Sequence, residues 1–252
     1  MWRVFYITTS TIKQYKIRCF GIKTINMNKD TIKYVIAFVL LAICGKADAQ
    51  WSLGLRTGCS STTISRYDAG RMDESYSALT GISIGLQGRY TVNPWLAVRA
   101  NPAFMQRSHR MDRNLNYLDL VYTEHINNYL MLPLLADFSF GGERLRGHML
   151  AGAYAGYWLS ERRRGVTYWM TDYYVYFEDF DERRDFTESD LRFNAGMAIG
   201  ASLSYSIANS LDLYFDAIYY YDLTSHHKGY AHLADPRYLN TLELAVGINY
   251  SL

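Results

Sequence analysis

"NTLELAVGINYSL", Asn240 to Leu252, is the stretch on which the fold turns. Leu242, Leu244, Val246, Ile248, Tyr250 and Leu252 are apolar or aromatic, while Thr241, Glu243, Ala245, Gly247, Asn249 and Ser251 between them are small or polar. The period is two and it runs to the last residue, the pattern of a strand with one greasy face. A strand whose outer face meets water ordinarily closes on polar residues; one whose apolar face meets lipid has no need to.

The other end of the sequence indicates where such a strand would go. From Met27 it reads "MNKDTIKYVIAFVLLAICGKADAQ", with Lys29 and Lys33 ahead of an apolar run from Tyr34 to Cys44 and "ADAQ" behind it. A basic start, a short apolar run and an A-x-A site predict a secretory signal, cut after Ala49. The run is shorter than the roughly 20 apolar residues of a membrane-spanning helix. Residues 1–26 are basic and patternless and read as a start-site extension, leaving 27–49 as signal peptide and 50–252 as one domain. That domain holds 18 Lys or Arg against 22 Asp or Glu, a net charge of −4 in place of +2 for the full sequence. The basic excess lies in the leader, which removes the electrostatic case for a nucleic-acid partner. Of Cys19, Cys44 and Cys59 only Cys59 falls in the domain, so disulfides do not hold it together.

Alternation recurs throughout the domain and no helical period is sustained. Eight strands are predicted: Gln50 to Gly58, Leu79 to Tyr90, Trp95 to Gln106, Asn127 to Phe140, Leu145 to Ser160, Leu191 to Ile207, Leu211 to Thr224 and Leu239 to Leu252. Ile82, Ile84 and Leu86 alternate with Ser83, Gly85 and Gln87; Ala195, Met197, Ile199, Ala201, Leu203 and Tyr205 alternate with Gly196, Ala198, Gly200, Ser202 and Ser204. Membrane-crossing strands need about 9–11 residues with apolar-out, polar-in alternation. The connections "TVNPW", "GGER" and "ANS" are tight and rich in turn residues, whereas Cys59 to Ala78, Arg107 to Ile126, Glu161 to Asp190 and Ser225 to Tyr238 are long and charged. Long and short alternate strictly. The prediction is an all-β, eight-stranded antiparallel transmembrane β-barrel with short periplasmic turns, long outer loops and both termini periplasmic, in the outer membrane of a Gram-negative bacterium. A soluble lipocalin-like barrel would show no such bias in loop length and would have an apolar interior.

Arg56, Arg89, Arg99, Asp137, Asp212, Asp216 and Glu243 fall on the face opposite the apolar stripe. Mixed signs on one inner face predict paired networks, since a buried charge without a partner is costly. An eight-stranded barrel is narrow enough for side chains to fill it, so the lumen is expected to be plugged.

The stretches "LAVRANPAFMQRS", "NNYLMLPLLADFSF", "GHMLAGAYAGYWLS" and "LELAVGINYSL" together resemble the PorT-like outer-membrane β-barrel proteins of Bacteroidetes, over essentially all of Gln50 to Leu252. The resemblance implies a small porin-like barrel, membrane lipid and lipopolysaccharide as surroundings, and the barrel-assembly machinery as a partner during biogenesis. It brings no catalytic residues, and the family member that names it is linked to protein secretion. Family members commonly end on an aromatic residue; here Leu252 stands last and Tyr250 two places earlier.

Function is therefore sought in the loops. "SHHKGYAH" carries His226, His227 and His232, but adjacent histidines on an extended segment point apart and no metal site is assigned. His125, His148 or His226 beside an Asp or Ser would imitate a hydrolase, yet no spacing selects a triad. Gly81, Gly85 and Gly88, or Gly152 and Gly156, match no phosphate loop. The segment "ERRRGVTYWMTDYYVYFEDFDERRDFTESD" gathers Tyr168, Trp169, Tyr173, Tyr174, Tyr176, Phe177, Phe180 and Phe186 among charges of both signs, a composition suited to a protein-binding loop. Its strand propensity equally predicts a hairpin continuing beyond the membrane. The leading expectation is a non-enzymatic barrel without cofactor, with a structural, partner-binding or secretion-associated role. A small pore or transport barrel and an outer-membrane hydrolase acting on lipid or peptide stand as alternatives.

Overall fold

The computed structural model describes residues 51–66, 74–113, 121–171, 174–188, 190–208, 210–226 and 237–252. The predicted leader, with Cys19 and Cys44, and also Tyr173, His227 and His232 lie outside the described residues. Among the described residues eleven strands are formed: β1 (Trp51–Arg66), β2 (Glu74–Asn93), β3 (Leu96–Ala100), β4 (Ala103–Gln106), β5 (His109–Arg113), β6 (Tyr122–Gly141), β7 (Leu145–Met170), β8 (Val175–Arg184), β9 (Phe193–Ala208), β10 (Leu211–Asp222) and β11 (Arg237–Ser251).

Every pairing is antiparallel. β1 pairs β2; β2 pairs β3, β4 and β5 in succession, and each of these pairs β6; β6 pairs β7, β7 pairs β9, β9 pairs β10, β10 pairs β11, and β11 returns to β1. The sheet therefore closes on itself, and the Leu252 N–H donates to the Trp51 carbonyl at 2.8 Å. Closure leaves β1 and β11 no free edge at this level, which lipid-embedded strands require.

Eleven strands replace the eight uninterrupted ones predicted, for two physical reasons. The third predicted strand is broken at Asn101-Pro102, where proline has no N–H to give the ladder, and again at Arg107-Ser108, so β3, β4 and β5 share one place in the ring. The long connection from Glu161 is itself a hairpin: β7 continues to Met170 and β8 returns beside it, from Met170↔Val175 down to Glu161↔Arg184. Likewise β1 runs on to Arg66 and β2 starts at Glu74, so much of the predicted first loop is strand. Polar composition ended the predicted strands at the membrane's edge; the hydrogen-bond ladder does not stop there.

The outer surface carries the predicted stripe. Leu53, Leu55, Ile82, Ile84, Leu86, Leu132, Leu134, Met197, Ile199, Leu203, Leu244, Val246 and Ile248 are all exposed. At one end of this band sit Trp51, Trp95, Phe140, Tyr205 and Tyr250, an aromatic girdle of the kind expected at a bilayer interface, while Tyr157, Tyr219 and Tyr221 are exposed toward the other end, the last two directly across from Ile199 and Met197. Among the described residues no helix is long and apolar enough to cross a membrane; the strands do it.

The interior is not purely polar, as the alternation predicts it to be. Met105, Tyr129, Met131, Leu135, Leu150 and Ile218 are buried inside the ring among the charges. Small inward residues make room for these larger ones. A Cβ at Gly247 would lie 2.4 Å from Tyr214 Cζ, and one at Gly196 would lie 2.7 Å from the Tyr154 hydroxyl, so each glycine leaves space into which a neighbouring tyrosine lies flat.

Candidate functional site

The lumen is closed by a ladder of side chains from facing strands. At the end nearer the tight turns, Asp137 on β6 receives Arg89 Nε at 2.9 Å and Arg99 Nη2 at 2.8 Å, while His148 Nδ1 lies 2.8 Å from its other oxygen. Arg99 also reaches across to Asp216 on β10 at 3.0 Å. Arg56 on β1 stands 2.9 Å from Glu243 and 4.0 Å from Asp216, and Glu243 in turn accepts from Ser83 at 2.5 Å and Tyr220 at 2.8 Å. Six of the seven predicted lumen charges thus meet. Asp212 is the exception: it faces the mouth of the ring and accepts from Ser206 at 2.6 Å, apart from the arginines, because it stands beside the register shift at Leu211/Asp212 where β10 begins.

A second tier was not read from the sequence. Arg107 and Asp222 are both buried, and Asp222 gathers Arg107, Asn194, His226 and the Tyr154 hydroxyl. Arg107 also donates to Thr241 at 2.8 Å and to the Leu239 carbonyl at 2.6 Å. The signal was available. Inward positions on the third strand run Ala97, Arg99, Asn101, Ala103, Met105, Arg107, His109 by even steps, through both breaks, and Asp216 leads by even steps to Asp222.

Ser204, His148 and Asp137 stand in hydrolase order, with His148 Nε2 2.8 Å from Ser204 Oγ. The surroundings argue against that chemistry. Asp137 is shared with two arginines, which takes up the charge that would stabilise an imidazolium. Ser204 lies within β9, flanked by Tyr214 and Arg146 across the ladder, where strand N–H groups are spent on pairing rather than free to cradle an oxyanion. His226 is likewise occupied on both nitrogens, by Tyr129 at 3.0 Å and Asp222 at 2.9 Å. Among the described residues no group of three His, Cys, Asp or Glu could hold a metal ion.

Above this tier the ring opens into a small vestibule of about 40 Å³, room for a few water molecules. A bulge builds it. Between Asn128 and Tyr129 the β6–β7 register shifts, with Trp158 opposite Tyr129 but Ser160 opposite Asn128, so Leu159 is the extra residue. Past it, Glu161 and Arg163 turn inward in place of Ser160 and Arg162. The same phase change is why the sequence pattern stopped at Ser160. Glu161 accepts from Arg163 at 2.6 Å and Arg184 at 2.8 Å, and His125 Nδ1 lies 2.9 Å away. Burial pushes this carboxyl up, but those three hydrogen bonds outweigh it and hold the group well below the usual carboxylate range. His109 stacks on His125 with ring centroids 4.8 Å apart. Burial, then the neighbouring His125, lower its pKa to about 3, so its ring is neutral at ordinary pH.

The β7–β8 hairpin rises from this rim. Trp169 pairs Tyr176 and Tyr168 pairs Phe177 across the strands. Trp169 is 64% and Tyr174 66% exposed, with Tyr176 and Phe177 also open. Tyr168 and Phe180 are half-buried, and Phe186 leaves the group to pack edge-on against Trp158, 4.9 Å away. Trp169 Nε1 donates to Glu178 at 2.9 Å, and Arg162 chelates Asp181, fixing the two strands together.

No curated protein matches the chain. Among solved structures it is similar to the attachment invasion locus protein Ail of Yersinia pestis, 18% identical over 81% of this chain and 100% of that one, TM-score 0.38. OprG from Pseudomonas aeruginosa is 12% identical over 81% and 96%, TM-score 0.45, and the protease OmpT from Escherichia coli 9% identical over 82% and 98%, TM-score 0.47. Residues 46–228, most of the chain, match the outer membrane protein beta-barrel domain, and the chain belongs to that family of outer-membrane proteins.

Proposed function

We propose that this is a plugged, non-enzymatic outer-membrane barrel that displays the β7–β8 hairpin as a surface for protein recognition. The observation that carries the reading is the hairpin's exposed aromatic group, standing clear of the lipid band. From Tyr157, exposed toward the end of the band away from the tight turns, to Met170 is a run of 13 residues, roughly 40 Å of strand at about 3.3 Å per residue. Lipid does not account for Trp169, Tyr174, Tyr176 and Phe177 at that height. Aromatic anchors fenced by charge, here Glu178, Asp179, Asp181 and Arg183, are what protein interfaces favour.

In this reading the ring has eight places, the tight turns and both termini face the periplasm, and the hairpin faces out. The fully buried Arg99, Asp216 and Glu243 across the lumen argue against a pore. The narrower kinship with the PorT-like barrels rests on the four quoted motifs, and a secretion-associated role goes with it.

The test is replacement of Thr167 to Glu178 by a two-residue Asn-Gly turn, which spares Glu161, Arg184 and Phe186. The barrel should stay heat-modifiable on gels while cross-linked partners on intact cells disappear. An unchanged set of cross-linked proteins would sink the proposal.

A further inference from the structure

The β7–β8 hairpin uses only one edge of β8. Successive pairs from Glu161↔Arg184 to Met170↔Val175 join it to β7 with no shift of register, and among the described residues no strand pairs its other edge, where the sheet ends. Eight of its ten residues are exposed, on both faces of the strand. An edge strand presents a row of free N–H and C=O groups, which proteins ordinarily blunt by shortness, proline or a bulge. β8 has none of these: it is ten residues long, regular, and free of proline and glycine. Such an edge is a template for one more strand.

We propose that the free edge of β8 takes up an extended segment of a partner protein, bearing lysine or arginine, as an additional strand. The inference rests on the reading of the hairpin as a protein-recognition surface and names the chemistry of the partner. Charge selects it. Because side chains alternate along a strand, Asp179 and Asp181 stand on one face of β8 and Glu178 and Glu182 on the other. Arg162 meets Asp181 and the Trp169 indole meets Glu178, but Asp179 and Glu182 have no hydrogen-bond or ion-pair partner among the described residues. A lysine or arginine set opposite them on an incoming strand forms a favourable cross-strand pair, whereas an acidic strand is repelled. The same acids disfavour a second copy of this chain: with two β8 strands centred on Phe180, Asp179 would oppose Asp181 and Glu178 would oppose Glu182. Nearer the tip, exposed Tyr176 and Phe177 offer one aromatic position on each face to the same incoming strand.

The test uses the full chain in lipid nanodiscs, with amide hydrogen exchange over Val175–Arg184 read by mass spectrometry. The probes are three synthetic peptides of about ten residues: one alternating lysine and valine, its glutamate counterpart, and the lysine peptide N-methylated at every residue, which keeps the charge and loses every strand donor. The lysine peptide should slow exchange across β8 saturably while the other two do not. Asp179→Asn and Glu182→Gln, both at exposed positions, should each weaken its binding about two- to fivefold, the range of an exposed charge pair. The proposal is overturned by unchanged exchange with the lysine peptide, by equal slowing with the glutamate or N-methylated peptide, by undiminished affinity in both variants, or by a second copy of this chain as the protein cross-linked at β8 on intact cells. A tip variant, Trp169→Ser with Tyr174→Ser, separates this inference from the reading beneath it. If the tip variant loses its cross-linked partners while the lysine peptide leaves exchange unchanged, the hairpin binds protein by its aromatic face and the edge proposal alone falls. If the partners survive the tip variant and the peptide does not bind, both fall.

Discussion

Arg107 Nη2 lies 2.7 Å from Asp222 Oδ1, the two residues 115 positions apart in sequence and both side chains fully buried. The contact ties the irregular junction of β4 and β5 to the end of β10, across the lumen. Its members are not equivalent. Asp222 keeps His226, Asn194 and the Tyr154 hydroxyl if Arg107 is removed, whereas Arg107 without Asp222 retains only neutral acceptors.

Asp222→Ala should therefore cost about 3–5 kcal/mol, the range for an orphaned buried charge. The double variant Arg107→Met with Asp222→Ala should recover part of that loss, since no charge is left stranded. Urea unfolding of the barrel refolded in lipid vesicles measures both. Equal or additive losses in the double variant would show that the pair contributes by packing alone.

The ring was legible in the sequence wherever lipid faces one side, because the period of two is then enforced at every step; Leu242 to Leu252 and Ile82 to Leu86 show it plainly. So were Arg56, Arg99, Asp137, Asp216 and Glu243, which sit at inward phase within those runs. What composition hid was strand beyond the membrane. There both faces are polar, so β5, β8 and the upper half of β7 lose their contrast, and a single bulge at Leu159 reverses the inward and outward phase from Ser160 onward. The charged rim of the vestibule, His109, His125, Glu161, Arg163 and Arg184, comes from such positions, whereas Asn127, Tyr129, Trp158 and Leu239 in its wall lie within the predicted strands.

His109 gives the fold a pH dependence of definite sign. Its pKa is lowered from 6.5 to about 3 in the folded chain, so between those values the unfolded chain binds a proton that the folded one does not. Stability contributed by the neutral ring is full above pH 6.5 and is lost as pH falls toward 3. The groups facing it are His125, Glu161, His226 and Arg237; the depressed carboxyl of Glu161 adds its own loss only once pH drops below its ordinary 4.5. From pH 6.5 to 4.5 the His109 share amounts to roughly 2–3 kcal/mol at 1.36 kcal/mol per unit. His109→Phe should flatten the stability profile in that window by up to one proton. Parallel profiles for the two proteins would refute the assignment.

Ser204, His148 and Asp137 permit a direct check on the absence of serine chemistry. With Asp137 held by Arg89 and Arg99, and no free pair of N–H groups beside Ser204, the hydroxyl should behave as an ordinary one. A fluorophosphonate probe, which labels activated serines, should leave the folded barrel unmodified, and mass spectrometry of the β9 peptide reads this. Labelling at Ser204 that vanishes in His148→Ala would establish an activated nucleophile and overturn the non-enzymatic reading.

Orientation follows from the unequal ends of the ring. The tight turn at Gly142, closed by its N–H on the Leu145 carbonyl at 3.0 Å, lies at the opposite end from the hairpin tip at Thr171. If the long strands face out, a cysteine at Thr171 should react with a membrane-impermeant maleimide on intact cells, and one at Gly142 only after the outer membrane is breached. Both are best placed in a Cys59→Ser background, since Cys59 is exposed on β1. Its neighbours along the outer face, Leu55 upstream and Ile82 directly across the ladder, put it against lipid, so Cys59 itself should resist the aqueous reagent. Labelling at Gly142 on intact cells, with Thr171 silent, would turn the barrel over and move the hairpin and the vestibule to the periplasm. Equal labelling at both positions would mean that the reagent crosses the membrane, and heat-modifiability of the same samples would show whether the barrel had closed.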